Sequence, residues 1–144
     1  MLKTINSLFV TMFGIGKLPR IPGSYASLVT VIFLYIIFHL LHISANTFLF
    51  FLVAIFIVSL FAVNLFIKDL TNKDPKEVVI DEFIGQSIPI CLYEIAHSEP
   101  TDPARVLTFY FIMFILFRIF DIAKPYPVSY YDKNFKNSFG VIMD

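Results

Sequence analysis

Apolar residues fall in long blocks along this chain, and most polar ones collect at the block ends. Ser27–Ile43, "SLVTVIFLYIIFHLLHI", and Thr47–Ile67, "TFLFFLVAIFIVSLFAVNLFI", carry no Asp, Glu, Lys or Arg. A membrane-crossing helix needs about 20 mostly apolar residues, so both blocks are expected to span a bilayer. Only Ser44, Ala45 and Asn46 separate them, which predicts a tight helical hairpin. Val106–Ile122 is apolar as far as Arg118 and predicts a further span. Val78–Ala96, "VVIDEFIGQSIPICLYEIA", carries Asp81, Glu82, Gln86, Pro89 and Glu94. It predicts a crossing that cannot face lipid on every side. The opening "MLKTINSLFVTMFGIG" has one Lys and an apolar stretch cut short by Gly and Lys-Leu-Pro. That is no cleavable signal pattern but a short amphipathic or re-entrant entry helix. The expected fold is all-α: an integral membrane helical bundle of about four crossings plus a short N-terminal helix. It is expected to form one domain over residues 1–144, with no internal repeat.

The positive charges orient these crossings. Lys3, Lys17 and Arg20 precede the first span, Lys68, Lys73 and Lys76 follow the second, and Lys124, Lys133 and Lys136 follow the last. The Ser44–Asn46 turn has no Lys or Arg, and "HSEPTDPAR" has Arg105 alone. Both termini are therefore expected in the cytoplasm. Asp81 and Glu82 then lie about one turn into the third crossing from that side. Arg118 and Asp121 lie near the cytoplasmic end of the fourth, and "GIGKLPRIPGS" at the start of the first. These polar residues are expected to share one depth, in a pocket at the cytoplasmic mouth of the bundle.

Composition sharpens this picture. Hydrophobic residues make up 58% of the 144 positions, against about 45–50% in soluble domains. A chain this short cannot bury so much apolar surface in a soluble core. Eleven basic and eleven acidic residues give a formal net charge of +0, so nothing points to nucleic acid or another polyanion. Cys91 is the sole cysteine; it excludes an intrachain disulfide and reads as a small buried hydrophobe. "CLYEIAH" also lacks the arginine that a cysteine-phosphatase loop requires.

A charge within a membrane segment costs roughly 2.5–3.5 kcal/mol, so such groups face the bundle interior and pair. Arg118 and Asp121, spaced i,i+3, can face one way; the plainer reading is a structural ion pair. Lys124 either joins them or snorkels to the headgroups. Asp81 and Glu82 are adjacent and diverge by about 100° around the helix, yet both can flank an ion held between helices. The plainer reading makes them acids favoured at a helix start by its dipole. "GIGKLPRIPGS" is no Walker loop; it is either a helix-to-helix turn or a loop ending at Ser24 whose amides receive a phosphate. Lys68, Asp69, Asp74, Lys76 and Glu77 read as a solvated connection. His39, His42 and His97 share no metal-like spacing and read as interfacial. The oxygen donors Asp81, Glu82, Asp121 and Asp144, beside Arg118, Lys124 and Lys17 or Arg20, suit magnesium rather than zinc. Such a site clamps a phosphate, and its expected depth suggests a lipid phosphate in contact with membrane lipids.

"KLPRIPGSYASL", "VVIDEFIGQ", "LFRIFDIAKPYPV" and the closing "GVIMD", in that order, resemble the phosphatidylglycerophosphatase A family over nearly the whole chain. The resemblance implies a bacterial inner-membrane enzyme that hydrolyses phosphatidylglycerophosphate to phosphatidylglycerol and phosphate, needs Mg2+, and faces the cytoplasm. The family's acidic pair falls on Asp81 and Glu82, its Arg, Asp and Lys on Arg118, Asp121 and Lys124, and its Pro-Gly-hydroxyl turn on Pro22, Gly23 and Ser24; the resemblance does not assign the metal ligands among them. Taken with the charge pattern, Asp81, Glu82, Arg118, Asp121 and Lys124 are expected to be catalytic, Lys17, Pro22, Gly23 and Ser24 to hold substrate with Arg118 and Lys124, and Asp81, Glu82, Asp121 and Asp144 to hold metal. The family's loop acids fall on Asp69, Asp74 and Asp132. Thr is more usual than Ser24 in the family, and members often carry glycines near Asn137 and Ser138. Members also continue past Asp144 with a second Asp and a final apolar helix, so that helix is expected to be missing here. Two rivals come from other classes. A small transporter would need polar residues through the full membrane depth, and a non-catalytic assembly subunit would tolerate Asp81→Asn and Asp121→Asn.

Overall fold

A computed structural model describes residues 2–68, 76–97, 102–124 and 141–142. Among these residues the chain is all-helical, with five α-helices and no strand. Helix α1 is Leu2–Val10, and a single 3-10 turn follows at Ile15–Lys17. Helix α2 is Pro22–Tyr35, extended by a π turn over Ile36–Leu40. Helices α3, α4 and α5 are Ala45–Ile67, Ile80–Ala96 and Pro103–Ala123.

The helix ends follow local chemistry. Pro22 stands at the start of α2, where the missing N–H costs nothing and the fixed φ suits a helix. Pro-Gly-Ser is therefore the first turn of α2 rather than a loop ahead of it, which corrects the loop reading of Ser24. Pro103 opens α5 in the same way, and the Asp102 side chain accepts from the Ala104 amide at 3.4 Å. Lys124 ends α5 in the left-handed conformation, φ 43, immediately before Pro125 in the sequence, a neighbour that disfavours helical backbone.

Among the described residues, three stretches are long and apolar enough to cross a membrane: Pro22–Leu40, Ala45–Ile67 and Pro103–Ala123. Their outer faces expose Phe50, Phe61 and Leu65 on α3 and Phe111, Ile119 and Ile122 on α5. So much exposed apolar surface belongs in lipid. Helix α4 differs. Its 17 residues rise about 25 Å, less than the roughly 30 Å hydrocarbon core. It takes the place foreseen for a crossing over Val78–Ala96, and it packs against α2, α3 and α5 as the centre of the bundle. Ile84, Ile90 and Cys91 of α4 join Leu34 and Phe38 of α2 and Phe48 and Leu52 of α3 in the core.

Ile80 shares a cavity of about 340 Å³ with Thr30 of α2 and Ile55 of α3. The start of α4 is therefore level with the middle of α3, not with its end. From Ile55 to Ile67, α3 runs on for about 18 Å. Helix α1 covers part of that stretch: Asn6 Nδ2 donates to the Ala62 carbonyl at 2.9 Å. The Val79 amide donates to the Val10 carbonyl at 3.0 Å, tying the start of α4 to the end of α1.

Candidate active site

Asp81 and Glu82 occupy the first turn of α4, where the helix dipole favours negative charge. Glu82 reaches across to α2 and lies on the backbone of Gly23. A Cβ at Gly23 would collide with Glu82 Oε1 and stand 3.3 Å from Arg118 Nη1. The absent side chain at Gly23 is what lets three helices meet at this point. Arg118, on α5, pairs with Asp121 one turn on, Nη1 to Oδ2 at 2.8 Å. The same Nη1 donates to Ser27 Oγ of α2 at 3.5 Å. Ser27 is fully buried and lies one turn beyond Gly23.

Asp81, Glu82 and Asp121 line one cavity of about 560 Å³ among α3, α4 and α5. The carboxyls of Asp81 and Glu82 lie within hydrogen-bonding reach of each other, and the Asp121 charge bears on both. Asp81 Oδ1, Glu82 Oε2 and Arg118 Nε are buried without a hydrogen-bond partner. Orphaned carboxylate oxygens and an orphaned guanidinium N–H are costly to bury. Together they offer oxygen donors suited to a cation and an N–H suited to an anion.

Among the described residues, no three Asp, Glu, His or Cys side chains form a ready-made metal cage. Two orphaned carboxylate oxygens nevertheless fit magnesium. That ion keeps several waters and is held by one or two carboxylates together with substrate phosphate oxygens.

The remaining expected site residues divide. Pro22 and Ser24 are half-buried in the first turn of α2, and the Ser24 amide donates to the Ile21 carbonyl at 3.1 Å. Lys17 is exposed on the 3-10 turn and does not line the carboxylate cavity. Arg20 is exposed as well. Lys124 is half-buried at the end of α5. Asp144, Asp69, Asp74 and Asp132 lie outside the described residues, so the metal role expected of Asp144 has no geometry here.

Two polar groups had no role in the sequence reading. Gln86, four residues after Glu82, is fully buried with both amide heteroatoms unpartnered. At the opposite end of α4, Glu94 Oε1 accepts from the Tyr110 hydroxyl at 2.7 Å and lies 3.1 Å from His39 Nε2. His39 is thus engaged inside the bundle, on the π turn that ends α2. His97 stacks on Tyr93, ring centroids 4.5 Å apart. No sequence spacing links positions 39, 94 and 110; the contact exists only once three helices pack.

A family model described as Phosphatidylglycerophosphatase A matches residues 8–144. A Haemophilus influenzae protein named phosphatidylglycerophosphatase A is 30% identical over 137 residues, 95% of this chain and 77% of the relative. A Bacteroides thetaiotaomicron protein, described provisionally as a phosphatidylinositol-3-phosphatase, is 33% identical over 138 residues, 95% of this chain and 82% of its own. The Escherichia coli protein named phosphatidylglycerophosphatase A is 27% identical over 143 residues, covering 95% and 73%. No solved structure matches the chain.

Proposed function

The chain belongs to the phosphatidylglycerophosphatase A family, and on that premise we propose that it hydrolyses the terminal phosphomonoester of phosphatidylglycerophosphate, releasing phosphatidylglycerol and phosphate. Membership makes it a phosphatase and a membrane protein, which sets aside the transporter and assembly-subunit rivals. The substrate, a magnesium requirement, a place in the bacterial inner membrane and a cytoplasmic-facing site are the finer parts of the proposal. One observation carries it. Asp81, Glu82, Asp121 and Arg118, from two distant segments, meet where buried carboxylate oxygens and a guanidinium N–H lack partners.

In this reading Asp81 and Glu82 hold magnesium, with Asp121 turned to the same cavity. When bound, the ion withdraws charge from the phosphoryl oxygens. Arg118 presents its guanidinium to those oxygens, steadied by Asp121 and Ser27. Charge stabilisers arranged in advance around a transferring phosphoryl group are the main requirement of such chemistry. In the net reaction, water oxygen bonds to phosphorus and the bond to the glycerol oxygen breaks. A carboxylate of the Asp81–Glu82 pair takes the water proton and returns it to the departing glycerol oxygen. Lys124 and the Pro22–Ser24 turn, which borders Glu82 and Arg118 at Gly23, serve the headgroup. Lys3 and Lys68, which line one cavity where α1 meets the end of α3, mark the cytoplasmic side.

The provisional description of the Bacteroides relative favours testing a second headgroup, phosphatidylinositol 3-phosphate. The experiment is phosphate release by the purified protein from both lipids, with magnesium and with EDTA. Magnesium-dependent release from phosphatidylglycerophosphate supports the proposal. Release only from the inositol lipid redirects it, and no release from either removes it.

A further inference from the structure

The carboxylate cavity is larger than a phosphate needs, and most of its walls are apolar. Helices α3 and α5 both pack on α4 but share no extended interface with each other, so a cleft runs along α4 between them. Leu52, Ile84 and Gly85 lie at its bottom, Val53 of α3 and Ile88 of α4 at its rim, Phe117 of α5 on the other side, and the buried Ile142 also contributes to the lining. The Phe117 ring lies over Gly85, where a Cβ would stand 2.7 Å from Phe117 Cε2. Leu52 and Ile84 at the bottom are 3% and 6% exposed, whereas Val53 and Ile88 at the rim are 54% and 45% exposed. The cleft is therefore open along its side. It opens between the apolar outer faces of α3 and α5, which is where a bilayer lies.

One end of the cleft is closed by Asp81, Glu82 and Asp121. From Asp81 to Ile88 the lining extends about 10 Å along α4. The carboxylates lie beside the middle of α3, well short of its Ile67 end. A phosphate held there belongs to a molecule whose remaining body sits among hydrocarbon. A water-soluble phosphomonoester has nothing to place against Leu52, Val53, Ile84 and Ile88; a lipid has.

We propose that this cleft holds the glycerol backbone and first acyl segment of one phospholipid phosphomonoester. The lipid enters sideways from the bilayer between α3 and α5, with its phosphate at the Asp81–Asp121 end. The proposal rests on the lipid-phosphatase reading and adds to it the route of entry and the residues that select a long chain. Continuity with the carboxylates fixes the occupant as substrate. An apolar cleft of this size, about 560 Å³, falls within the usual range of ligand pockets.

The test compares kcat/KM for dioleoyl and dihexanoyl phosphatidylglycerophosphate, in mixed micelles with magnesium, for wild type, Val53→Trp, Ile88→Trp and Phe61→Trp. Phe61 is exposed on α3 and does not line the cleft. Filling the cleft is expected to lower the long-to-short ratio roughly tenfold or more, the scale of one or more lost methylene contacts. Phe61→Trp is expected to keep the wild-type ratio. Thermal unfolding and detergent gel filtration check that each variant is folded. Should the tryptophans prevent folding, Val53→Ala and Ile88→Ala are expected to raise KM for the dioleoyl lipid more than for the dihexanoyl one. An unchanged ratio in folded variants overturns the proposal. So does an equal loss on both lipids, which marks the cleft as the seat of another helix. Absence of phosphate release from either lipid by wild type overturns the phosphatase reading, and the lipid cleft falls with it.

Discussion

Glu82 of α4 rests its carboxyl on the backbone of Gly23 in α2, at a spot with no room for even one methyl group. The Arg118 guanidinium borders the same spot. Gly23→Ala is therefore expected to push Glu82 and Arg118 apart. Overpacking of this kind costs about 1–3 kcal/mol, and here it falls on the proposed catalytic groups. The expected outcome is a fall in kcat/KM of at least about tenfold, read by phosphate release. A fall in thermal stability alone, with kcat/KM intact, contradicts it.

Arg118 makes two directed contacts from one nitrogen, to Asp121 and to Ser27. Lysine keeps the charge but loses the planar fork, and with it the buried Nε–H that has no partner among the described residues. Arg118→Lys is expected to lower kcat about 100-fold or more, the scale of removing one preorganised transition-state donor. Ser27→Ala acts through Arg118 and is expected to lower kcat less, with KM nearly unchanged. Steady-state kinetics on the purified variants separates the two.

The far cluster of Glu94, Tyr110 and His39 is expected to behave in the opposite way. Tyr110→Phe removes a 2.7 Å hydrogen bond to a carboxylate, a contact worth about 1.5–3 kcal/mol. Thermal unfolding is expected to move down while kcat of the folded fraction stays within about twofold of wild type. A selective loss of kcat would place this cluster in the chemistry.

The spans were legible because their periodicity is trivial: unbroken apolar runs have one explanation in a chain of this composition. The polar site was legible in part because membrane segments punish charge, so Asp81, Glu82, Arg118 and Asp121 stood out before any contact was known. The start of α2 was misplaced because "RIPGS" carries turn signals, and Pro22 satisfies a helix start as readily as a loop. The level of the carboxylates against the middle of α3 was not legible. It depends on α1 occupying the rest of α3, through contacts such as Asn6 to Ala62, and a single polar residue in a short helix announces no such packing. Ser27 and Gln86 were passed over because one serine or glutamine in an apolar run has too many bland explanations. Each acquires meaning only from standing one turn beyond Gly23 or Glu82.

Magnesium is expected to act at Asp81 and Glu82. EDTA is expected to abolish phosphate release, and magnesium to restore it. Calcium is expected to restore less, since the site offers few protein oxygens and calcium prefers six to eight ligands. Glu82→Gln is expected to raise the magnesium concentration needed for half-maximal rate, measured by titrating the metal against initial rate. A variant with an unaltered magnesium profile contradicts the assignment of Glu82 to the metal.

The most direct measurement is phosphate release from phosphatidylglycerophosphate in magnesium by wild type beside Asp81→Asn, an isosteric change that removes one carboxyl from the buried pair. The account predicts a magnesium-dependent rate in wild type and a loss of roughly 100-fold or more in the variant, with both proteins equally folded. Equal rates in the two proteins would contradict it.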